Sequence, residues 1–249
     1  MVSEEKFIFI SGGSRGIGRA IALSQAKKGV HLFINYLRDD ESAEALKAEA
    51  QKAGAEVTLV RGNVGDAEAI GPLFDAIRKK TSRLDGLIHN AALGVFKPVS
   101  QLRVKDWDIS LDVNAKALLL LSQAALPFMT GRGGKIIAIS SLGAQRFTPN
   151  YGAIGISKAA LESLVRYLAV ELAAQNIRVN AVSGGLIETD SLKMFPDFER
   201  MKKEFLARAP GRRLGRPEDI AKVVAFLLGQ DSDWIYGQTL VADGGYSLF

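Results

Sequence analysis

The sequence predicts an α/β fold, a single doubly wound parallel sheet of about seven strands with helices on both faces. Three observations predict it. Strand-like and helix-like segments alternate from end to end, the strand-like runs are apolar at consecutive positions, and no linker, repeat or low-complexity tract interrupts the alternation. A strand that is apolar on both faces must be covered on both faces, as in a parallel sheet between two helix layers. With 249 residues, 47% of them hydrophobic and 24% charged, the chain fits one large domain, 1–249. A chain of this size buries about 70–75% of its unfolded surface, and its apolar content excludes a disordered protein.

Taken in order, the first strand is expected at 7–11 and the first helix at 17–28. Further strands are expected at 31–35, 56–60, 86–90, 135–140, 177–182 and 238–242, and further helices at 40–53, 67–80, 104–129, 154–174 and 217–228. Asp66 stands ahead of one helix, Pro217 in the first turn of another, and Gly29 and Gly54 just past two helix ends, each a residue favoured at that position. Ligands of such sheets bind outside the carboxyl ends of the strands near the switch point. The segments that follow the strands are therefore where function is sought.

Composition narrows the chemistry. With no cysteine there is no disulfide framework, thiolate nucleophile or cysteine-ligated metal. The two histidines, His31 and His89, lie in apolar strand-like runs, so no metal site is expected. Residues 1–6 are polar and do not read as a signal peptide. The apolar stretch 115–128 carries Lys116 and Gln123 and falls short of the ~20 residues that span a bilayer. A soluble, cytoplasmic protein with no membrane association is the expectation. The charge of +5 reads either as a solvated surface or as a preference for an anionic cofactor or acidic partner. No nucleic-acid-binding signature is present, so nucleic acid is not expected as a partner.

The first strand runs into Ser11-Gly12-Gly13-Ser14-Arg15-Gly16-Ile17-Gly18, which opens a helix. Glycines let the backbone turn sharply and approach a pyrophosphate, which the free N–H groups of the helix end attract. Glycine-rich loops also serve ordinary turns; the strand–loop–helix context points to a Rossmann-type dinucleotide site. An NAD site places a carboxylate at the end of the second strand. Here Asn35-Tyr36-Leu37-Arg38 stands there, with no acid before Asp39. Arg15 and Arg38 suit a 2′-phosphate held by forked, charge-assisted hydrogen bonds, unless they are ordinary loop residues. NADPH is the expected cofactor.

The set Gly12-x3-Gly16-x-Gly18, Asn63-Val64, Asn90-Ala91-Ala92, Asn114 and Ser140-Ser141, in that order, resembles the short-chain dehydrogenase/reductase family. The resemblance covers essentially the whole chain, through Gly215-Arg216-Pro217-Glu218-Asp219 to Asp243-Gly244-Gly245. It implies that Asn63 and Val64 flank the adenine and that Asn90 and Ala91 pack near the riboses. Gly184 to Thr189 would lie along the nicotinamide, with Ile187 and Thr189 near its carboxamide. It also implies a homotetramer, with the long helices after the fourth and fifth strands and residues 237–249 at its interfaces.

Members of that family commonly carry Tyr-x3-Lys, but four residues before Lys158 stands Ile154, which has no hydroxyl. The nearest tyrosine is Tyr151, a Tyr-x6-Lys spacing. Seven helical residues return to nearly the same face about 10.5 Å further along the axis, so Tyr151 reaches the nicotinamide if it lies in the lead-in to the helix. Pro149-Asn150 before it and Gly152 after it suit a lead-in. Tyr151 is otherwise a packing residue at a helix start.

Tyr-x6-Lys is the spacing of enoyl-acyl-carrier-protein reductases. Ser141-Leu142-Gly143-Ala144-Gln145-Arg146 and Lys158-Ala159-Ala160-Leu161-Glu162 also resemble that group. The compact glycine motif, Ser141 where other members carry a second tyrosine, and Val182-Ser183-Gly184-Gly185 resemble most its NADPH-dependent type III. The resemblance implies hydride delivery to a trans-2-enoyl thioester in fatty acid synthesis. Tyr151 would stabilise the enolate and Lys158 would hold the nicotinamide ribose. Ser141 either hydrogen-bonds the thioester oxygen or caps a strand end. Asn114 either holds a relay water or bends its helix.

Phe195, Phe198, Met201 and Phe205 recur at spacings of three and four, so they are expected on one face of a short helix. That helix is either a substrate lid, at about 184–213, or a core-packing stripe. Leu93, Val95 and Phe96 would oppose it across an acyl pocket. Lys193, Lys202, Lys203, Arg208, Arg212 and Arg213 either steer an acidic acyl carrier protein or form an ordinary solvated face. Three activities stay open: enoyl thioester reduction, reduction of a 3-oxoacyl or other carbonyl group, and nucleotide sensing without catalysis.

Overall fold

A computed structural model describes residues 5–196 and 198–249. Seven parallel strands, β1 (Lys6–Ser11), β2 (Val30–Tyr36), β3 (Glu56–Arg61), β4 (Gly86–His89), β5 (Gly134–Ser141), β6 (Ile177–Gly184) and β7 (Thr239–Ala242), form one sheet in the order β3-β2-β1-β4-β5-β6-β7. All seven strand positions read from the sequence are strands. The order reverses between β1 and β4, with Phe9 beside Leu87 and Ile10 beside Ile88. This places the crevice for a ligand at the carboxyl ends of those two strands.

Successive strand residues point to opposite faces, and both faces are apolar. Phe9, Phe33, Leu87, Ile136 and Val179 pack against α3 (Ala67–Arg78), α5 (Ala117–Met129) and α6 (Gly152–Leu172). Ile8, Ile10, Leu32, Ile34 and Ile137 pack against α1 (Gly16–Gln25), α2 (Asp40–Lys52) and α9 (Pro217–Leu228). A third, small cluster joins Leu192, Phe205, Ala209 and Leu214, around α7 (Asp190–Lys193) and α8 (Phe198–Arg208). The caps follow the sequence: Asp39 accepts from the Ser42 N–H at 2.9 Å, Asp66 from the Glu68 N–H at 3.0 Å.

Two boundaries differ from expectation. The first helix ends at Gln25 rather than 28, and Gly29, at φ +81°, turns the chain into β2 instead of following the helix end. The helix expected at 104–129 consists of α4 (Val104–Leu111) and α5 joined through one π-helical turn, Asp112–Lys116. By length and composition alone Val104–Met129 could cross a membrane. Its inward face, Leu118, Leu121, Ala125 and Met129, is fully buried in the core of the domain, which accounts for its apolarity.

Candidate active site

The glycine loop is built for close approach. A Cβ on Gly18 would lie 2.3 Å from the Gly12 carbonyl oxygen and 2.6 Å from Asn90 Nδ2, so only glycine lets α1 start there. The first turn of α1 carries no acidic side chain and no side-chain cap. Its N–H groups are left for an anion, which fits a dinucleotide pyrophosphate. Ser14 is buried in this loop, and Thr189 reaches it, 3.4 Å from the Cβ position of Gly16. Ile187 is buried beneath, pairing with Gly215, and its side chain packs over Gly184.

Asp39, the first acid after β2, is not free for a ribose. Its Oδ1 accepts from the Ser42 N–H and its Oδ2 from the Ser42 hydroxyl at 2.8 Å. Those bonds, with Arg15 at 3.7 Å, hold its carboxyl below the usual range. Arg38 is exposed beside it. Tyr36 hydrogen-bonds Asp40, which raises its hydroxyl pKa. Asn63 accepts from the Gly65 N–H at 3.0 Å and Val64 is buried.

Asn90 donates through Nδ2 to the Gly12 carbonyl at 2.8 Å, tying β4 to the glycine loop. Behind it lies a buried network the sequence did not signal. His89 Nε2 meets the Asn114 carbonyl at 3.1 Å and Nδ1 meets Ser11 Oγ at 3.0 Å. A carbonyl only accepts, so Nε2 carries the proton and Nδ1 accepts the Ser11 hydroxyl proton. Ser11 Oγ in turn accepts the N–H groups of Asn90 and Ala91, both at 3.1 Å. Burial, and secondarily the charge of Lys158, push the His89 pKa down to about 3, so this histidine is neutral.

Asn114 sits in the π-helical turn with its side chain fully engaged. It accepts from the Leu93 N–H and donates to the Leu93 carbonyl, both at 2.9 Å, and donates to Ser157 Oγ at 2.8 Å. The π turn aims that amide at the 91–96 loop, which it clamps at Leu93. Lys97, in strand-like pairing with Tyr151, donates to the buried Asp106 at 3.0 Å. Arg103 and Lys97 hold the Asp106 carboxyl well below the carboxylate range.

Tyr151 is the N-cap of α6, preceded by Asn150 in the left-handed region at φ 60°, so the lead-in exists as the spacing required. Its hydroxyl donates to Ser141 Oγ at 3.2 Å. Ser141 also accepts the Gly143 N–H at 3.3 Å and caps the short turn Leu142–Ala144. Burial raises the Tyr151 pKa, against the bond to Ser141. Lys158 is 3% exposed and donates to the Ile139 carbonyl at 2.6 Å. Desolvation lowers its pKa to about 8, against the field of Glu162. Ile154, at the position the commoner spacing gives to tyrosine, is buried at 8% exposure.

A Cβ on Gly143 would lie 2.4 Å from Tyr151 Cδ1. Gly143→Ala therefore displaces the ring, and a misplacement of about 1 Å costs on the order of a hundredfold in rate. Steady-state kinetics on a variant with wild-type unfolding temperature checks this; an unaltered kcat would show that the ring position is not required.

The apolar residues divide. Phe96, Tyr151 and Phe195 stack together, with Phe96 and Phe195 ring centroids 4.2 Å apart and Tyr151 and Phe195 5.4 Å apart. Phe195 is not on the helix expected to carry it: α8 begins at Phe198. The proline at 196 disfavours helical backbone at the residue before it. Phe198 and Met201 pack on the small cluster, where Phe205 is buried against Tyr246. Leu93 is exposed and Val95 half-buried on the facing loop. A cavity of 490 Å³ is lined by Gly16, Thr189, Lys193, Phe198, Lys202 and Leu214. A second, of 610 Å³, has Tyr151, Gly143, Val99 and Ile156 in its wall. His31, at the amino end of β2, lies with Glu5 and Glu56, but its ring nitrogens already meet Thr58 and Glu56.

The sequence matches the model of the family described as "Enoyl-(Acyl carrier protein) reductase" over residues 12–247. It is 42% identical over 241 residues to 1-cyclohexenylcarbonyl-CoA reductase of Streptomyces collinus, covering 96% of this chain and 86% of that one. The chain belongs to the short-chain dehydrogenase/reductase family. Another relative, a 3-oxoacyl-[acyl-carrier-protein] reductase of Staphylococcus aureus, is 33% identical over 96% of this chain and 97% of its own. Among solved structures, 7α-hydroxysteroid dehydrogenase complexed with NADH and 7-oxo glycochenodeoxycholic acid has a TM-score of 0.91 at 32% identity, covering 97% of this chain and 94% of that one. Membership of this short-chain dehydrogenase/reductase family makes the chain an oxidoreductase with a nicotinamide cofactor.

Proposed function

We propose that this oxidoreductase is an NADPH-dependent enoyl thioester reductase of fatty acid synthesis, of the enoyl-acyl-carrier-protein reductase III kind. The observation that carries the reading is the placement of Tyr151. Its hydroxyl comes from the lead-in to α6, seven residues before Lys158, while the usual position holds the buried Ile154. A hydroxyl entering from there suits an oxygen set back from the carbon that accepts hydride, as in an enoyl thioester.

When bound, the reduced nicotinamide supplies a hydride to the β-carbon of the trans-2-enoyl thioester. Negative charge then moves to the thioester oxygen, and the chain's own groups meet it. Tyr151, protonated because burial raises its pKa, donates to that oxygen. Ser141, which accepts Tyr151's bond at rest, has its own O–H free to donate. Such preorganised donors are worth about 3–4 kcal/mol each. Lys158 holds the ribose hydroxyls and places positive charge behind the tyrosine. Phe96 and Phe195, stacked on Tyr151, exclude water from the reacting carbons.

Engagement of Asp39 by Ser42, with Arg15 and Arg38 beside it, supports NADPH over NADH. Arg38→Ala is expected to weaken NADPH about tenfold or more, the loss of one charge-assisted pair, and leave NADH affinity unaltered. Equal effects in a fluorescence titration would remove the 2′-phosphate argument.

A carbonyl reductase is the second reading, favoured by the 3-oxoacyl reductase relative and by the direct Ser141–Tyr151 bond. NADPH oxidation separates the two: turnover of crotonyl but not acetoacetyl thioesters supports the first, and the reverse supports the second. A cyclohexenylcarbonyl thioester belongs in the same assay, given the relative of that name. The reading extends to a cytoplasmic homotetramer that receives its substrate from an acidic acyl carrier protein. Lys202 and Lys203 are the docking cations best placed for that protein: Lys202 lines the cavity beside Phe198 and Lys203 is exposed next to it. Lys193 and Arg213 pair with Asp190 and Asp219, and Arg208 donates to the Phe249 carbonyl.

A further inference from the structure

A buried carboxylate on α6 has no part in the scheme above. Glu162 lies one helical turn beyond Lys158 on α6 and is 5% exposed. Both its oxygens are in use: Oε1 accepts the Ser140 hydroxyl at 2.6 Å and Oε2 accepts Gln145 Nε2 at 3.0 Å. Those donors lie on either side of Ser141, one at the end of β5 and one just past the turn that Ser141 caps. A buried carboxylate persists only where hydrogen bonds and an opposite charge compensate its lost hydration. Here the bonds fix the Ser141 segment, and Lys158 stands one helical turn away on the same helix.

We propose that Glu162 is the positioning residue of this site: it anchors Ser140 and Gln145 so that Ser141 meets Tyr151, and it sets a carboxylate one helical turn from the buried Lys158. The proposal rests on the reading of Tyr151 and Lys158 as the working pair. Among the described residues packed around Lys158, no other group supplies that charge. His89 on β4 is neutral, and β5 offers Lys158 only the Ile139 carbonyl. On α4 and its flank, Asp106 is paired with Lys97 and Arg103, and in the π turn Asp112 is paired with Lys116. Desolvation already lowers the Lys158 pKa, and the Glu162 field opposes it.

The test is the pH dependence of NADPH binding, followed by fluorescence on the full chain, together with kcat for whichever thioester the wild type reduces. In Glu162→Gln the alkaline limb of binding is expected to move down by about half to one pH unit, as for loss of a neighbouring opposite charge. Its kcat near pH 7 should fall about tenfold as Ser141 loosens. Ser140→Ala and Glu162→Asp keep the charge and disturb the anchor, so kcat should fall several-fold while the limb stays in place. The anchoring role is refuted by unaltered kcat in both of these variants, which decide it even if Glu162→Gln does not fold. The charge role is refuted by an unmoved limb in Glu162→Gln, or by a limb that moves in Glu162→Asp. A limb that persists in Lys158→Met would overturn the assignment of Lys158 itself, a distinguishable outcome.

Discussion

Tyr151→Phe is expected to lower kcat by about a hundred- to a thousandfold, the usual cost of removing one donor to a developing oxyanion. The folded protein should still bind NADPH. The reasoning is local. Among the described residues the Tyr151 hydroxyl hydrogen-bonds Ser141 alone, whereas its ring stacks with Phe96 and Phe195. Phenylalanine keeps the stack and loses the donor, so the effect belongs to chemistry rather than folding. Steady-state NADPH oxidation and cofactor fluorescence on the same preparation measure the two separately. A variant within threefold of wild type would mean that another hydroxyl faces the substrate.

Lys158→Met should separate function from stability. Turnover is expected to drop about a hundredfold or more, with loss of the cation proposed to hold the nicotinamide ribose. The folded protein should become more stable at neutral pH. Lys158 is buried, and desolvation takes its pKa from the ordinary 10.5 to about 8. The folded state thus holds the proton less tightly than the unfolded chain does. Between pH 8 and 10.5 the unfolded state binds more protons, so stability rises with pH through that window, and below 8 the penalty is present in full. That penalty is about 3 kcal/mol, of which the lost bond to the Ile139 carbonyl returns about 1 kcal/mol. Thermal unfolding should therefore move up by roughly 4–8 °C for a chain of this length. A fall in stability would show that the bond to β5 outweighs the buried charge. In the wild type, activity that needs Lys158 charged should decline as pH rises through about 8.

The fold was legible because its signals are local and redundant. Each strand is a short apolar run; Asp39 and Asp66 start helices by bonds within three residues, and Pro217 starts one through its fixed φ in the first turn. The Tyr151 lead-in was legible from arithmetic, since Lys158 fixes the helix phase. His89 was not: it reads as one more residue of an apolar strand. Its role depends on Ser11, 78 residues earlier, and on the Asn114 carbonyl, 25 residues later. Phe195 was misplaced because a spacing of three suggests a helix, while the proline after it ends one.

The sequence by itself determined the seven-stranded parallel sheet, the glycine loop and the identity of the two residues, Tyr151 and Lys158, on which the chemistry is proposed to rest. Periodicity, caps and motif spacing act over a few residues and survive without three-dimensional context. Only the tertiary structure decided that Asp39 is consumed in capping α2, that the Asn114 amide clamps Leu93, and that Glu162 closes on Ser140 and Gln145. Hydrogen-bond capacity is finite, and which partner claims a polar group depends on what packing brings within about 3 Å.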